Sequence, residues 1–330
     1  MSQVSQLNDH PMSSTVHTLP GRTRSRLGQN ISGGAVRVVL LTCAMISILT
    51  TLFIVIVLAT EAIAFFTIET VKVGDFLLGG QWSPLLGSEK HFGIWPLISG
   101  TLLVAAVAAL VALPAGTVTA LYLSEYAPQR MRNILKPILE VLAGIPTVVY
   151  GFLALMILTP SLRWIYEGID FYNALSAGIA VGIMIIPIVT SISEDAMRAV
   201  PRSLREAGYA LGGTKFDVSV KVVIPAALSG IVAAFLLAVA RAVGETMIVA
   251  LAAGSLPVNI TKDGLGAAVD PTSQVQTMTG YIVQIFLGDA EAGGVEYQSS
   301  YAVAAVLFIL TLGLTWTGAM IARRFREVYE

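Results

Sequence analysis

From residue 37 onward the chain is a succession of long apolar stretches separated by shorter polar ones. Six runs stand out, at about 37–65, 97–123, 138–159, 174–193, 226–253 and 301–322. A helix that crosses a bilayer needs about 20 mostly apolar residues, and each run supplies that length. Their continuity is unlike the alternating strands of a membrane β-barrel. The pattern predicts an all-α integral membrane protein with six transmembrane helices.

The basic residues give that prediction a direction. With the N-terminus placed in the cytoplasm, 15 Lys and Arg fall on the inner side and 4 on the outer side (Lys72, Lys90, Arg163 and Lys262), with Arg241 within the membrane. Positive residues concentrate on the cytoplasmic side of membrane proteins, so both termini are expected there. The first run is too long for a signal-peptide core and reads as a retained first span. Residues 1–36, rich in Ser, Thr, Gln, Asn, Gly and Arg, read as a disordered cytoplasmic tail in which His10 and His17 are solvated. The membrane-embedded body then spans 37–326.

Composition agrees with the membrane class. Hydrophobic residues make up 55% of the chain and charged residues 12%, against about 25% charged in ordinary soluble domains. A net charge of −1 gives no overall basic surface for nucleic acid. The single cysteine, Cys43, allows neither an intrachain disulfide nor a Cys-rich metal site, and is expected to be a buried bystander.

The outer loop 67–96 carries Trp82, Pro84 and Trp95; its aromatics are expected near the headgroups or at a turn. The other long outer loop, 254–300, is Gly-rich and acidic, with Asp263, Asp270, Asp289, Glu291 and Glu296, and lacks the spacing of a calcium loop. It reads either as a solvated loop or as a docking surface for an external partner. Pro114, the Gly144-Ile145-Pro146 triplet and Pro187 interrupt the apolar runs and permit kinks. Gly178 and Gly182 form a small-xxx-small pair suited to close helix approach. Lys136 and Glu140 are spaced for an i,i+4 ion pair, while Arg163, Glu167 and Asp170 are expected to be solvated.

The inner segment 194–225 is more than a linker. Ser203-Leu204-Arg205-Glu206 has the spacing of a capping box and predicts a short helix over Leu204–Leu211. Gly212-Gly213 supplies the stop. Thr214-Lys215-Phe216-Asp217 opens a second helix in the same way, and Pro225 marks entry to the next span. Two short angled helices against the membrane read either as an amphipathic linker or as a docking knob.

This loop resembles the EAA loop of ABC-transporter permeases. Glu206-Ala207-Gly208, Gly212, Val222 and Ile224-Pro225 keep the family's spacing, with Gly208, Val222 and Ile224 in place of Ala, Ile and Leu. The resemblance implies a coupling helix that fits a cleft on an ATPase subunit. The chain itself has no G-x-x-x-x-G-K-[ST] loop, Thr214 standing where a lysine is needed. ATP would be bound by a partner, leaving this chain a transport subunit with no cofactor of its own and no covalent chemistry.

The fifth run, LLAVARAVGETMIVALAAG, sets Arg241 and Glu245 four residues apart inside an apolar segment. Each such charge costs about 2.5–3.5 kcal/mol at the centre of a membrane helix. Pairing offsets part of that, so a structural ion pair is one reading; ionisable residues that mark a pathway are the other. With LYLSEYAP (121–128) and LEVLAGIPTVVYGFLAL (139–155), this run resembles the phosphate-specific transport permeases of bacteria, their C type more than their A type. That resemblance implies a role in phosphate translocation for Arg241 and Glu245. It also implies an importer made of this chain, a homologous permease, two ATPase subunits and an extracytoplasmic phosphate-binding protein, set in the lipid of the bacterial inner membrane. A permease for molybdate or sulfate, a gradient-driven anion carrier and a non-transporting sensor are the alternatives.

Overall fold

The structure is a computed structural model that describes residues 26–69, 71–85, 90–288, 291 and 293–324. The chain divides into two units, residues 1–56 and 57–330. In the first unit, residues 26–56 are continuous helix, with apolar side chains such as Val38, Leu41, Ile48 and Phe53 exposed. Helix α1 runs Arg26–Phe66 and so begins ten positions before the end of the expected tail. The rest of that tail, including His10 and His17, lies outside the described residues. Cys43 is exposed on α1 rather than buried.

In the second unit α1 is followed by α2 (Val73–Leu78) and α3 (Trp95–Leu121), the latter ending in a π-helical turn, Tyr122–Tyr126. Next come α4 (Gln129–Gly144), α5 (Thr147–Leu153), a second π turn (Ala154–Leu158), α6 (Thr159–Ile165) and α7 (Ala174–Arg198). The segment after α7 holds α8 (Arg202–Ala210), α9 (Lys215–Val218), a third π turn (Ser219–Val223) and α10 (Ile224–Ala226). Then follow α11 (Leu228–Val243), α12 (Met247–Ala252), α13 (Ile260–Ala268), α14 (Met278–Leu287) and α15 (Val295–Arg324).

Among the described residues, five stretches are long and apolar enough to cross a membrane: Ala35–Phe66, Trp95–Tyr126, Thr147–Ile165, Ala174–Arg198 and Val295–Ile321. A sixth is bent, Lys215–Ala226 meeting Leu228–Val243 at 69°. Two expected runs are corrected. The run at 138–159 is cut at Ile145-Pro146, because a residue before proline is held out of the helical region. Its first part belongs to α4, an amphipathic helix with no buried residue, and the span is shifted to 147–165. The run at 226–253 is broken between Val243 and Met247.

The best-packed pair is α3 with α7. A Cβ on Gly178 would lie 2.5 Å from Val107 Cβ, and one on Gly182 would lie 2.9 Å from Val111 Cβ. The small-xxx-small pair is the seam at which these two backbones meet. Where lipid already solvates apolar side chains, close van der Waals contact of this kind holds helices together. Ala105, Ala108 and Ala112 of α3 and Ala177, Ala180 and Val181 of α7 form the buried core around it.

The segments 67–96 and 254–300, with the end of α1, build a second core from Phe65, Phe76, Trp82, Ile94, Met278 and Tyr281. Trp82 is only 1% exposed and meets the Tyr281 ring edge-on at 4.9 Å, so it is a core residue and not a headgroup anchor. Trp95 is half exposed and donates to the Leu77 carbonyl at 2.9 Å. The 254–300 segment is ordered by its acids and backbone rather than merely solvated. Asp270 accepts from Thr272 and Ser273, Asp263 accepts from the Asn259 N–H, and Glu296 pairs with Lys90. Residues 271–275 run antiparallel to the start of α7, with Leu175 N donating to Pro271 O at 2.7 Å and Ala174 N to Ser273 O at 3.1 Å. Asp289 lies outside the described residues. Arg163, Glu167 and Asp170 are exposed, though Asp170 accepts from the Gln274 N–H at 3.2 Å.

Candidate functional site

Arg241 occupies the last turn of α11, and the helix ends two residues later. Gly244 and Glu245 still close turns onto Ala240 O and Ala242 O at 3.2 Å each, after which the chain restarts as α12. Glu245 thus lies in the break, not on the helix. Its carboxylate oxygen Oε1 accepts from the Met247 N–H at 3.2 Å and the Ile248 N–H at 3.5 Å. These are orphan donors at the first turn of α12, which carry partial positive charge. From the other side, the buried Thr279 hydroxyl of α14 donates to the Glu245 carbonyl at 2.7 Å. The acid is 3% exposed and held on all sides.

The structure brings Arg241 and Glu245 together: Nη2 lies 3.8 Å from Oε2. The pair is lopsided, since the arginine side chain is 51% exposed and the acid is almost fully buried. Glu194 carries half-exposed cations in the same way, at 3.1 and 3.3 Å; the Arg241–Glu245 pair is wider still, beyond the about 2.7–2.9 Å of a charge-assisted hydrogen bond. Here a fixed carboxylate steadies a guanidinium that keeps most of its five donors open.

The second candidate site is the segment between α7 and α11. α7 continues to Arg198, so the loop is shorter than 194–225. Its first helix spans Arg202–Ala210, with Pro201 at the N-cap and no side-chain cap bond; the Ser203 capping box does not form. Proline lacks the N–H that a reciprocal box requires, and its fixed φ sets the helix start instead. The stop is a full Schellman arrangement: Gly212 N donates to Tyr209 O at 2.9 Å and Gly213 N to Gly208 O at 3.1 Å, with Gly212 at φ +83°. The second capping box does form, Thr214 and Asp217 exchanging bonds as expected. Pro225 sits in α10, just before the 69° bend.

On α8, Glu206 and Ala207 are exposed and Gly208 half-buried. A Cβ at Gly208 would lie 3.0 Å from Val218 Cγ2, a tight contact at the position where the EAA pattern has alanine. Tyr209, Leu211 and Phe216 are also exposed, Leu211 at 90%. The result is a small apolar patch of Tyr209, Leu211 and Phe216 flanked by the exposed charges of Arg202, Glu206 and Lys215.

Among the ionic contacts that sequence reasoning missed, two tie this segment and its surroundings to distant helices. Lys136 reaches across to Glu194 of α7 at 3.1 Å, not along α4 to Glu140. Arg205 meets Glu125 at 2.9 Å. Both acids precede or follow apolar runs, and only their isolation among apolar neighbours marks them.

The model of a family described as binding-protein-dependent transport system inner membrane component matches residues 112–327. The chain belongs to this family. It is a multi-pass permease subunit of an ABC transporter. Among its relatives, the probable ABC transporter permease protein YqgH of Bacillus subtilis is 33% identical over 83% of this chain and 86% of its own length. The phosphate transport system permease protein PstC of Mesorhizobium japonicum is 34% identical over 72% of this chain and 74% of its own. In fold, the permease resembles a chain of a bacterial ABC transporter involved in alginate import, at a TM-score of 0.61 and 14% identity, over 92% of this chain and 100% of the other.

Proposed function

We propose that this permease carries inorganic phosphate inward across the bacterial inner membrane, with both termini cytoplasmic. The observation that carries the reading is the half-exposed Arg241 guanidinium steadied by a buried, backbone-bonded Glu245. A planar fork of donors suits phosphate oxygens. The adjacent negative charge limits how tightly an anion is held, and a site of passage must release what it binds. Relatives named as phosphate permeases across most of the chain support phosphate over other oxyanions.

The energy comes from partners. The exposed face of α8, with Glu206, Ala207, Gly208 and the glycine stop at Gly212, docks into an ATPase subunit, and Pro225 leads its motion toward the bent span. The assembly contains a homologous permease, two ATPase subunits and an extracytoplasmic phosphate-binding protein. ATP is bound and hydrolysed on the ATPase subunits alone.

The test is purification from native membranes in mild detergent, mass identification of every retained chain, and reconstitution into liposomes. Uptake of labelled phosphate driven by ATP, and competed by excess phosphate but not by molybdate or sulfate, is expected. Competition by molybdate or sulfate would reassign the anion; uptake driven by an ion gradient without ATP would overturn the whole reading.

A further inference from the structure

Arg205 and Glu206 are neighbours on α8 but face opposite ways. Glu206 is exposed, whereas the Arg205 side chain is 17% exposed and turned inward. There its Nη2 donates to Glu125 Oε1 at 2.9 Å and its Nε to Oε2 at 3.4 Å, a two-pronged grip. The same guanidinium donates to Val200 O at 2.6 Å and Met197 O at 2.8 Å, carbonyls at the C-terminal end of α7. Glu125 is 7% exposed and belongs to the π turn that ends α3. Ser124 Oγ donates to the same carboxylate at 2.8 Å, and Arg132 of α4 donates to Ser124 O at 2.8 Å. Lys215 of α9 rests 4.9 Å over the Tyr126 ring of that turn.

One side chain therefore joins three elements: α8, the end of α7 and the end of α3. No residue of α8 is buried, and only Leu204 adds an apolar contact with the cluster beneath it. We propose that the Arg205–Glu125 pair is the positioning contact through which movement of α8 reaches the transmembrane helices. The inference rests on the reading of α8 as the ATPase-docking helix.

Three physical arguments support it. First, a desolvated ion pair is a poor device for stability alone, since apolar residues of the same volume often hold as well. What a bidentate guanidinium–carboxylate pair adds is fixed direction and register. Second, the pair grips the ends of α3 and α7, whose backbones meet at Gly178 and Gly182 without room for a methyl group. A pull on those ends displaces the two as one body, because interiors packed to this density deform little. Third, the acid sits in one of the chain's π turns, an irregularity frequent at functional sites.

The test uses the whole complex in liposomes, with the binding protein present and two quantities read together: ATPase retained on purification, and phosphate imported per ATP hydrolysed. The variants are Arg205→Gln, Glu125→Gln, the double variant and Arg205→Lys. Each Gln variant should keep its ATPase while import per ATP falls about ten-fold, as expected for breaking a strongly coupled contact. The double variant should be no worse than either single one, and Arg205→Lys should fall between. An unchanged ratio in the single variants would overturn the proposal. So would falls that multiply in the double variant, or ATPase lost in step with import, which would mark the pair as a fold-stabilising contact. If Arg205→Gln does not assemble, Glu125→Gln and Arg205→Lys make the same comparison, and failure of these too to assemble also overturns it. An unmutated complex without ATPase or phosphate import would refute the docking and transport reading instead, which keeps the two failures distinct.

Discussion

Lys136 of α4 lies 3.1 Å from Glu194 of α7, although its own helix offers Glu140 one turn away. Glu194 is 2% exposed and takes Arg198 at 3.3 Å on its other oxygen. Because both cations are about half exposed, removing either one alone leaves the acid paired. Lys136→Met and Arg198→Met should each lower stability by about 0.5–1 kcal/mol. Removing both strands a buried carboxylate and should cost about 3 kcal/mol or more. Thermal unfolding of the detergent-purified chain measures the three; a strictly additive double variant would show that Glu194 is not held by this pair.

Arg241→Ala should reduce phosphate uptake at least about ten-fold, the scale expected when a charged contact to a passing anion is removed, with the complex still assembled. Arg241→Lys keeps charge but not the planar fork, and should recover only part of it. Normal uptake by Arg241→Ala would remove this residue from the pathway.

At Glu245 two substitutions separate charge from capping. Gln retains an oxygen for the Met247 and Ile248 N–H groups, so Glu245→Gln should fold normally while altering uptake. Ala gives those donors no acceptor, and Glu245→Ala should lose about 1 kcal/mol of stability as well. Equal melting temperatures for the two variants would argue against the capping role.

Gly178→Ala and Gly212→Ala should destabilise for different reasons. The first adds a methyl group 2.5 Å from Val107 Cβ, an overpacking of about 1–3 kcal/mol. The second has nothing within 4 Å but demands φ +83° of a residue with a Cβ, about 1 kcal/mol of backbone strain. A second substitution tells them apart: Val107→Ala in the Gly178→Ala background should restore part of the melting temperature, whereas no neighbour of Gly212 can relieve its variant.

Asp270 gives a pH dependence. Hydrogen bonds from the Thr272 hydroxyl and N–H, with a further one from Ser273, hold its carboxyl below the ordinary value of 3.8. A group lowered in the folded state contributes stability that is fully present above its ordinary value and is lost as pH falls through the folded one. The stability gap between the unaltered chain and Asp270→Asn should be constant near neutrality and close on acidification below about pH 4. A gap that closes between pH 6 and 8 would point to another group.

What the sequence made legible followed from period and punctuation. Runs of apolar residues located the spans, Gly178 and Gly182 located a helix seam, and Gly212 and Thr214–Asp217 located the ends of two short helices. Where it failed, the deciding contact came from far along the chain. Trp82 reads as a surface aromatic until Tyr281 covers it, and Lys136 reads as a partner of Glu140 until α7 supplies Glu194. The Arg241–Glu245 spacing was plain, but the break that takes Glu245 off the helix was not. An apolar run has the same composition whether or not its backbone is continuous, and the bonds that open this one come from Met247, Ile248 and Thr279. Glu125 and Arg205, 80 positions apart, left no local signal beyond polar residues beside apolar ones.

The break after α11 also bears on how the chain enters the membrane during synthesis. A continuous apolar helix can leave the insertion machinery for lipid as soon as it is made, its backbone groups already bonded to one another. The stretch around Glu245 is different, because the carbonyl at its centre is bonded by a hydroxyl that is synthesised 34 residues later. Until Thr279 has emerged and α14 has docked, the Glu245 carbonyl lacks the hydroxyl that bonds it, and hydrocarbon offers no substitute. The settling of this break is therefore tied to the arrival of α14, the element that brings Thr279.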